Sequence, residues 1–273
     1  MIEAADITAH YASGAIAERI LAALRAAGAT EVTPETLAPL DQFHSRGLAA
    51  TREIGVALAP EAGHSVLDIG CGIGGPARWL AARYGCIVEG VDLTPDFCAA
   101  ADALTRAARM TGRVTVRQGD ALALPFAAAS FDCAYSQNVV MNIADKAAFY
   151  REAARVLKPG GLLAVSNLAA GTKGEPYYPA PWAASVETSF LSTPEATRAE
   201  IAAAGLELVS LRDTTPDLLA FYAEQRERLR REGPPALGVH VLMGERIKAY
   251  QRNVARSVEE GRLAAVEAIA RKR

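Results

Sequence analysis

Val66-Leu67-Asp68-Ile69-Gly70-Cys71-Gly72-Ile73-Gly74-Gly75 decides how this chain folds. Apolar residues on either side of an acid, four glycines in six positions, and then the helix-compatible run Pro76 to Arg83 describe a buried strand that turns sharply into a helix. Glycine allows backbone conformations closed to other residues and lets a ligand approach closely, while the first amides of the following helix point at whatever occupies the turn. The stretch predicts a small-molecule site on an α/β sheet.

The spacing narrows the ligand. A dinucleotide turn reads G-x-G-x-x-G and sets a pyrophosphate on the helix N-terminus; here Gly70, Gly72 and Gly74 bring the third glycine one residue early. Asp68, two positions before the first glycine, repels a phosphate and accepts hydrogen bonds from an ammonium group. A cationic amino-acid ligand is favoured over NAD. A second short strand, Cys86 to Val91, ends at Asp92-Leu93-Thr94-Pro95, one strand-helix-strand unit after Asp68. An acid at that strand end is placed to accept both hydroxyls of a ribose. A third strand, Val114 to Gln118, leads to Gly119-Asp120-Ala121. A fourth, Ser130 to Ser136, leads directly into Gln137-Asn138-Val139-Val140-Met141-Asn142. Ligands of open α/β sheets bind outside the carboxyl ends of the strands near the switch point, so this last loop faces the reacting group. Gln137 is assigned to cofactor, and Asn138, Met141 and Asn142 to substrate.

VLDIGCGIGG resembles the first motif of the S-adenosylmethionine-dependent methyltransferases with a Rossmann-like fold. RVLKPGG ahead of the strand Leu162 to Ser166 is similar to another element of that family. The combination of DQFHSRG, GCGIGGPARWL and SQNVVMNI is similar to the small-molecule group around sarcosine and dimethylglycine N-methyltransferases. The resemblance implies S-adenosylmethionine as methyl donor and a seven-stranded, mostly parallel α/β sheet with helices on both faces. It also implies an antiparallel last strand beside the fifth, here Leu263 to Ala270, a stretch whose alanine content equally suits a helix. Asp120 would accept the adenine amino group, with Ala121 near the ring. The alternatives are an NAD-dependent oxidoreductase on the same sheet and a non-catalytic protein that keeps the S-adenosylmethionine pocket.

Ahead of the first strand, residues 1–60 read as a helical lid with helices over about 8–27 and 34–58. Within it, Asp41-Gln42-Phe43-His44-Ser45-Arg46-Gly47 is dense in polar groups. Arg46 has forked donors for a ligand carboxylate, and His44 is either a substrate-contacting base or a satisfied histidine in a polar turn. Tyr11 is assigned to the cofactor lid. Residues 61–273 form the catalytic domain, with covering insertions at about 168–192 and 214–261. The first, rich in proline, glycine and aromatic residues, puts Trp182 over the acceptor or into loop packing. The second reads as a solvated cap of charged helices. The cofactor set is thus Tyr11, Arg46, Asp68, Gly70, Cys71, Gly72, Asp92, Leu93, Asp120, Ala121 and Gln137, beside His44 as catalytic group.

Composition bounds the partners. With 29 basic and 31 acidic residues the net charge is -2, which gives no general attraction to nucleic acid or an anionic membrane. Cys71, Cys86, Cys98 and Cys133 lack C-x-x-C spacing and suggest reduced cytosolic thiols rather than a metal site. MIEAADIT lacks a basic segment followed by an apolar one, and no apolar run reaches a membrane-spanning length. A cytoplasmic enzyme acting on a small molecule is expected, and oligomeric state is left open.

Overall fold

The computed structural model describes residues 15–244 and 246–273. Three helices come first, α1 (Ile16–Ala26), α2 (Pro34–Asp41) and α3 (Leu48–Leu58). The alternating part follows as β1 (Ser65–Ile69), α4 (Gly75–Tyr84), β2 (Ile87–Asp92), α5 (Pro95–Ala107), β3 (Val114–Gln118), β4 (Phe131–Gln137), α6 (Lys146–Val156) and β5 (Leu157–Ala170). Then come α7 (Pro194–Ala203), β6 (Leu206–Asp213), α8 (Thr215–Glu232), α9 (His240–Met243), α10 (Arg246–Glu259) and β7 (Leu263–Lys272).

The seven strands form one sheet in the order β3-β2-β1-β4-β5-β7-β6; successive strands are added outward on one side of β1 through β3 and on its other side from β4, so the switch point lies between β1 and β4. Strands β1 to β5 run parallel, and β7 lies antiparallel between β5 and β6. The alanines of β7 are accommodated because both its edges are paired and most of the strand is buried. Side chains alternate across β1. Leu67 and Ile69 join the core with Phe131, Phe149 and Val156, whereas Val66 joins Ile54, Leu58, Ala77, Leu80 and Val88 on the other face.

The expected helix over 34–58 is two helices. Gln42 to Gly47 breaks it, with Arg46 at φ 65° and Gly47 at φ 51°, both in the left-handed region. Thr33 caps α2 by accepting from the Thr36 amide. The three helices pack on different parts of the molecule. Ile54 and Leu58 of α3 are part of the core against the sheet, whereas α1 packs on α5 and α2 on α4. The charged cap expected over about 214–261 comprises α8, α9 and α10. Among the described residues no helix is long and apolar enough to cross a membrane.

Candidate active site

The carboxyl ends of β1, β2, β3 and β4 open onto a cavity of about 660 Å³, within the range that takes drug-sized ligands. His44, Arg46, Asp68, Gly70, Cys71, Gly72, Asp92, Leu93, Asp120, Ala121, Gln137, Asn138, Met141, Asn142 and Trp182 all line it. Tyr11 lies outside the described residues. No group of acidic, histidine and cysteine side chains suited to a metal ion occurs among the described residues.

The glycine turn is shaped as much by its own neighbours as by any ligand. Gly70 has φ 79°, and a Cβ there would lie 2.3 Å from the Val139 side chain; a Cβ on Gly75 would lie 2.2 Å from the Asp41 carbonyl oxygen. The Gly70 and Cys71 amides donate to the Val91 carbonyl, binding the turn to the end of β2. Asp92 continues that join: its Oδ2 accepts from the Gly72 amide at 2.8 Å and its Oδ1 from the Thr94 amide at 2.9 Å. Each carboxylate oxygen keeps a lone pair for a ligand hydroxyl.

Asp68 is 2% exposed and accepts the Tyr135 hydroxyl at 2.7 Å. Burial pushes its carboxyl up to about 7, against the Tyr135 hydrogen bond and helped by the neighbouring charge of Asp92. A cationic ligand group beside it favours the ionised form. Binding of such a ligand is therefore strong above pH 8 and weakens as pH falls through 7, approaching tenfold per unit below that. Titration between pH 5.5 and 8.5 checks this, together with proton release on binding near pH 7.

Opposite stands a polar group that spacing alone did not predict. Thr51, fully buried, donates to Gln42 Oε1 at 2.7 Å and approaches His44 Nε2 at 3.1 Å and Gln137 Oε1 at 3.3 Å. The Nε2 atoms of Gln42 and Gln137 are buried with no hydrogen-bond partner among the described residues. His44 Nε2 lies 3.0 Å from the Gly47 carbonyl. That acceptor fixes the proton on Nε2 and leaves the Nδ1 lone pair, and burial pulls the imidazole down to about 4, so it is neutral near pH 7.

Several side chains are committed more tightly than their sequence roles implied. Arg46 lines the cavity, but its fork grips Glu53 rather than standing free for a ligand carboxylate. Asn138, at φ 55°, donates to Ser45 Oγ at 2.9 Å and so ties the β4 loop to the 42–47 turn. Asn142 donates to the Val139 carbonyl of its own loop at 3.2 Å. Trp182 lines the cavity, packs in an apolar cluster and donates to Ser189 Oγ. Asp120 folds back on the Leu122 amide through Oδ1, leaving Oδ2.

Against known families, residues 67–165 match the model described as Methyltransferase domain. This part of the chain is similar to methyltransferase domains. It spans β1 through most of β5, the part of the sheet that builds the glycine turn and both acidic strand ends. The chain is 36% identical to methyltransferase GfsG of Streptomyces halstedii over 129 residues, 47% of this chain and 46% of that one. It thus spans about half the length of the curated relatives it matches. The geranyl diphosphate C-methyltransferase of Streptomyces coelicolor aligns over 100% of this chain and 99% of that one with a TM-score of 0.71 at 20% identity. A Galdieria sulphuraria chain described as a sarcosine dimethylglycine methyltransferase aligns over 93% and 98% with a TM-score of 0.67 at 17% identity. Both are likenesses of fold, and they agree with the seven-stranded Rossmann-like sheet.

Proposed function

We propose that the cavity binds S-adenosylmethionine and that the protein transfers its methyl group to a small-molecule acceptor. One observation carries this reading. Among the described residues, the wall combines a buried acid with no cationic partner, Asp68, and two buried amide donors with no acceptor, Gln42 and Gln137. That is the complement of an α-ammonium carboxylate, and Asp92 at the end of β2 complements a ribose diol. The residues present therefore fit the cofactor, and the matched methyltransferase domain supports the same assignment.

When bound, the cofactor supplies a methyl group on a positively charged sulfur that is already a good leaving group. What the chain adds is alignment and exclusion of water. Asp68 neutralises the ligand ammonium, Gln42 and Gln137 donate to its carboxylate, and Asp92 accepts from its ribose. Neutral His44, with its lone pair at Nδ1, accepts a hydrogen bond from the acceptor's hydroxyl or amine and orients it. The Thr51 contact and the Gly47 carbonyl hold the ring for that task.

His44→Ala is expected to lower turnover on the order of a hundredfold while changing the affinity for S-adenosylhomocysteine by less than about twofold. Transfer of isotopically labelled methyl to extracted acceptors, beside a calorimetric titration, measures both. Unchanged turnover would remove His44 from the mechanism and leave it as a brace of the 42–47 turn.

A further inference from the structure

The cavity has two unlike halves. All five aspartates lining it sit on the 41–47 side, on the β1 to β3 strand ends, or, for Asp145, at the α6 cap where the side chain accepts from the Ala148 amide. The other half is walled by Met141, Leu168, Trp182, Phe190, Tyr222 and Val254. Five of these six belong to one apolar cluster, drawn from the loop after β4, β5, the 168–192 segment, α8, α10 and β7. Among the described residues Arg46 is the lone lysine or arginine that lines the cavity, and Glu53 takes its fork. Residues 1–14 contain neither lysine nor arginine.

Such a wall is hostile to the polar acceptors its fold relatives suggest. A phosphate or an amino-acid carboxylate buried there would lose its hydration with no free cation among the described residues to offset the cost. An apolar skeleton, by contrast, gains from leaving water, and aromatic rings present large surfaces at little entropic cost. Resting on the methyl-transfer reading, we propose that the acceptor is an uncharged, largely apolar molecule whose skeleton fills the chamber between the 168–192 segment and helices α8 and α10. Its one polar end, a hydroxyl or neutral amine, faces His44 and the β4 loop. Neither a zwitterionic amino acid nor a phosphorylated compound is the substrate.

The test is binding to the full chain saturated with S-adenosylhomocysteine, read by calorimetry and by fluorescence, since Trp182 lies in the chamber wall. The probes are 4-alkylphenols from propyl to hexyl, geraniol, geranyl diphosphate with magnesium, sarcosine and phosphoethanolamine. The dissociation constant of the alkylphenols is expected to fall about fourfold per added methylene, and geraniol is expected to bind at least tenfold more tightly than geranyl diphosphate. Phe221→Ser and Phe190→Ser, both at half-buried cavity positions, are each expected to weaken hexylphenol at least fivefold with S-adenosylhomocysteine affinity retained. Sarcosine, phosphoethanolamine or the diphosphate binding more tightly than the neutral probes would overturn the proposal, as would the absence of any chain-length dependence. Failure of S-adenosylhomocysteine itself to bind would instead sink the methyl-transfer reading, so the two failures are distinct.

Discussion

Asp92→Ala is expected to raise the dissociation constant for S-adenosylhomocysteine by two to three orders of magnitude, measured by calorimetric titration. The carboxylate has two tasks. It accepts the Gly72 and Thr94 amides, which fixes the glycine turn against the end of β2, and in the proposed complex it accepts the ribose hydroxyls. Hydrogen bonds to a charged group contribute about 1.5–3 kcal/mol each. Losing the ligand bonds and loosening the turn together cost about 3–4 kcal/mol, or a factor of several hundred. Fold stability should fall less than binding, because removing a carboxylate that burial pushes upward also removes its desolvation cost. An increase of less than tenfold would contradict a ribose-binding Asp92.

The second large effect concerns folding. Arg78 on α4 is fully buried and joins four parts of the chain: it donates to Asp41 Oδ2 at 2.9 Å, the Ile73 carbonyl at 2.8 Å, the Ala101 carbonyl at 3.2 Å and Thr105 Oγ1 at 3.2 Å. It thus clamps the glycine turn between α2 and α5. Arg78→Met leaves Asp41 buried without its counter-ion, a loss of about 3–5 kcal/mol that urea denaturation should register. Burial already raises the Asp41 carboxyl, with Arg78 holding it down. In the variant the carboxyl rises further, so its stability deficit grows as pH rises above the ordinary carboxylate range and shrinks when the acid takes up a proton. The double variant Arg78→Met, Asp41→Leu should recover more than half of the loss. A single-variant cost below about 1 kcal/mol would place the pair among ion pairs of no structural weight.

Much of this architecture is legible in the sequence because it is local. The strand–glycine–helix turn, the acids Asp68 and Asp92 one repeat apart, and the Gln137–Asn142 loop after β4 all announce their places through short-range pattern. The antiparallel β7 is not legible that way: its alanines suit a helix, and only pairing on both edges makes them a strand. The Arg78–Asp41 clamp and the Thr51 contacts join residues 37 and 86 positions apart, and nothing in the run Pro76 to Arg83 distinguishes a buried arginine from a surface one. Lys146 is a similar case, its ammonium held by the Val140, Ile143 and Phe190 carbonyls so that the 168–192 segment is fastened to the β4 loop. The cap over 214–261 read as solvated, yet it supplies Phe221, Tyr222, Tyr250 and Val254 to the cavity. A signal for α10 was present: Ile247, Tyr250, Val254 and Val258 recur on one helical face, masked by the charges between them.

The most direct test of the account is a calorimetric titration of the wild-type chain with S-adenosylhomocysteine and, separately, with NAD. Stoichiometric binding of S-adenosylhomocysteine, with proton release near pH 7 and no heat from NAD, is the predicted result. Binding of NAD alone, or of neither, would mean that the Gly70–Gly75 turn serves a different ligand, and the assignment of methyl transfer would fall with it.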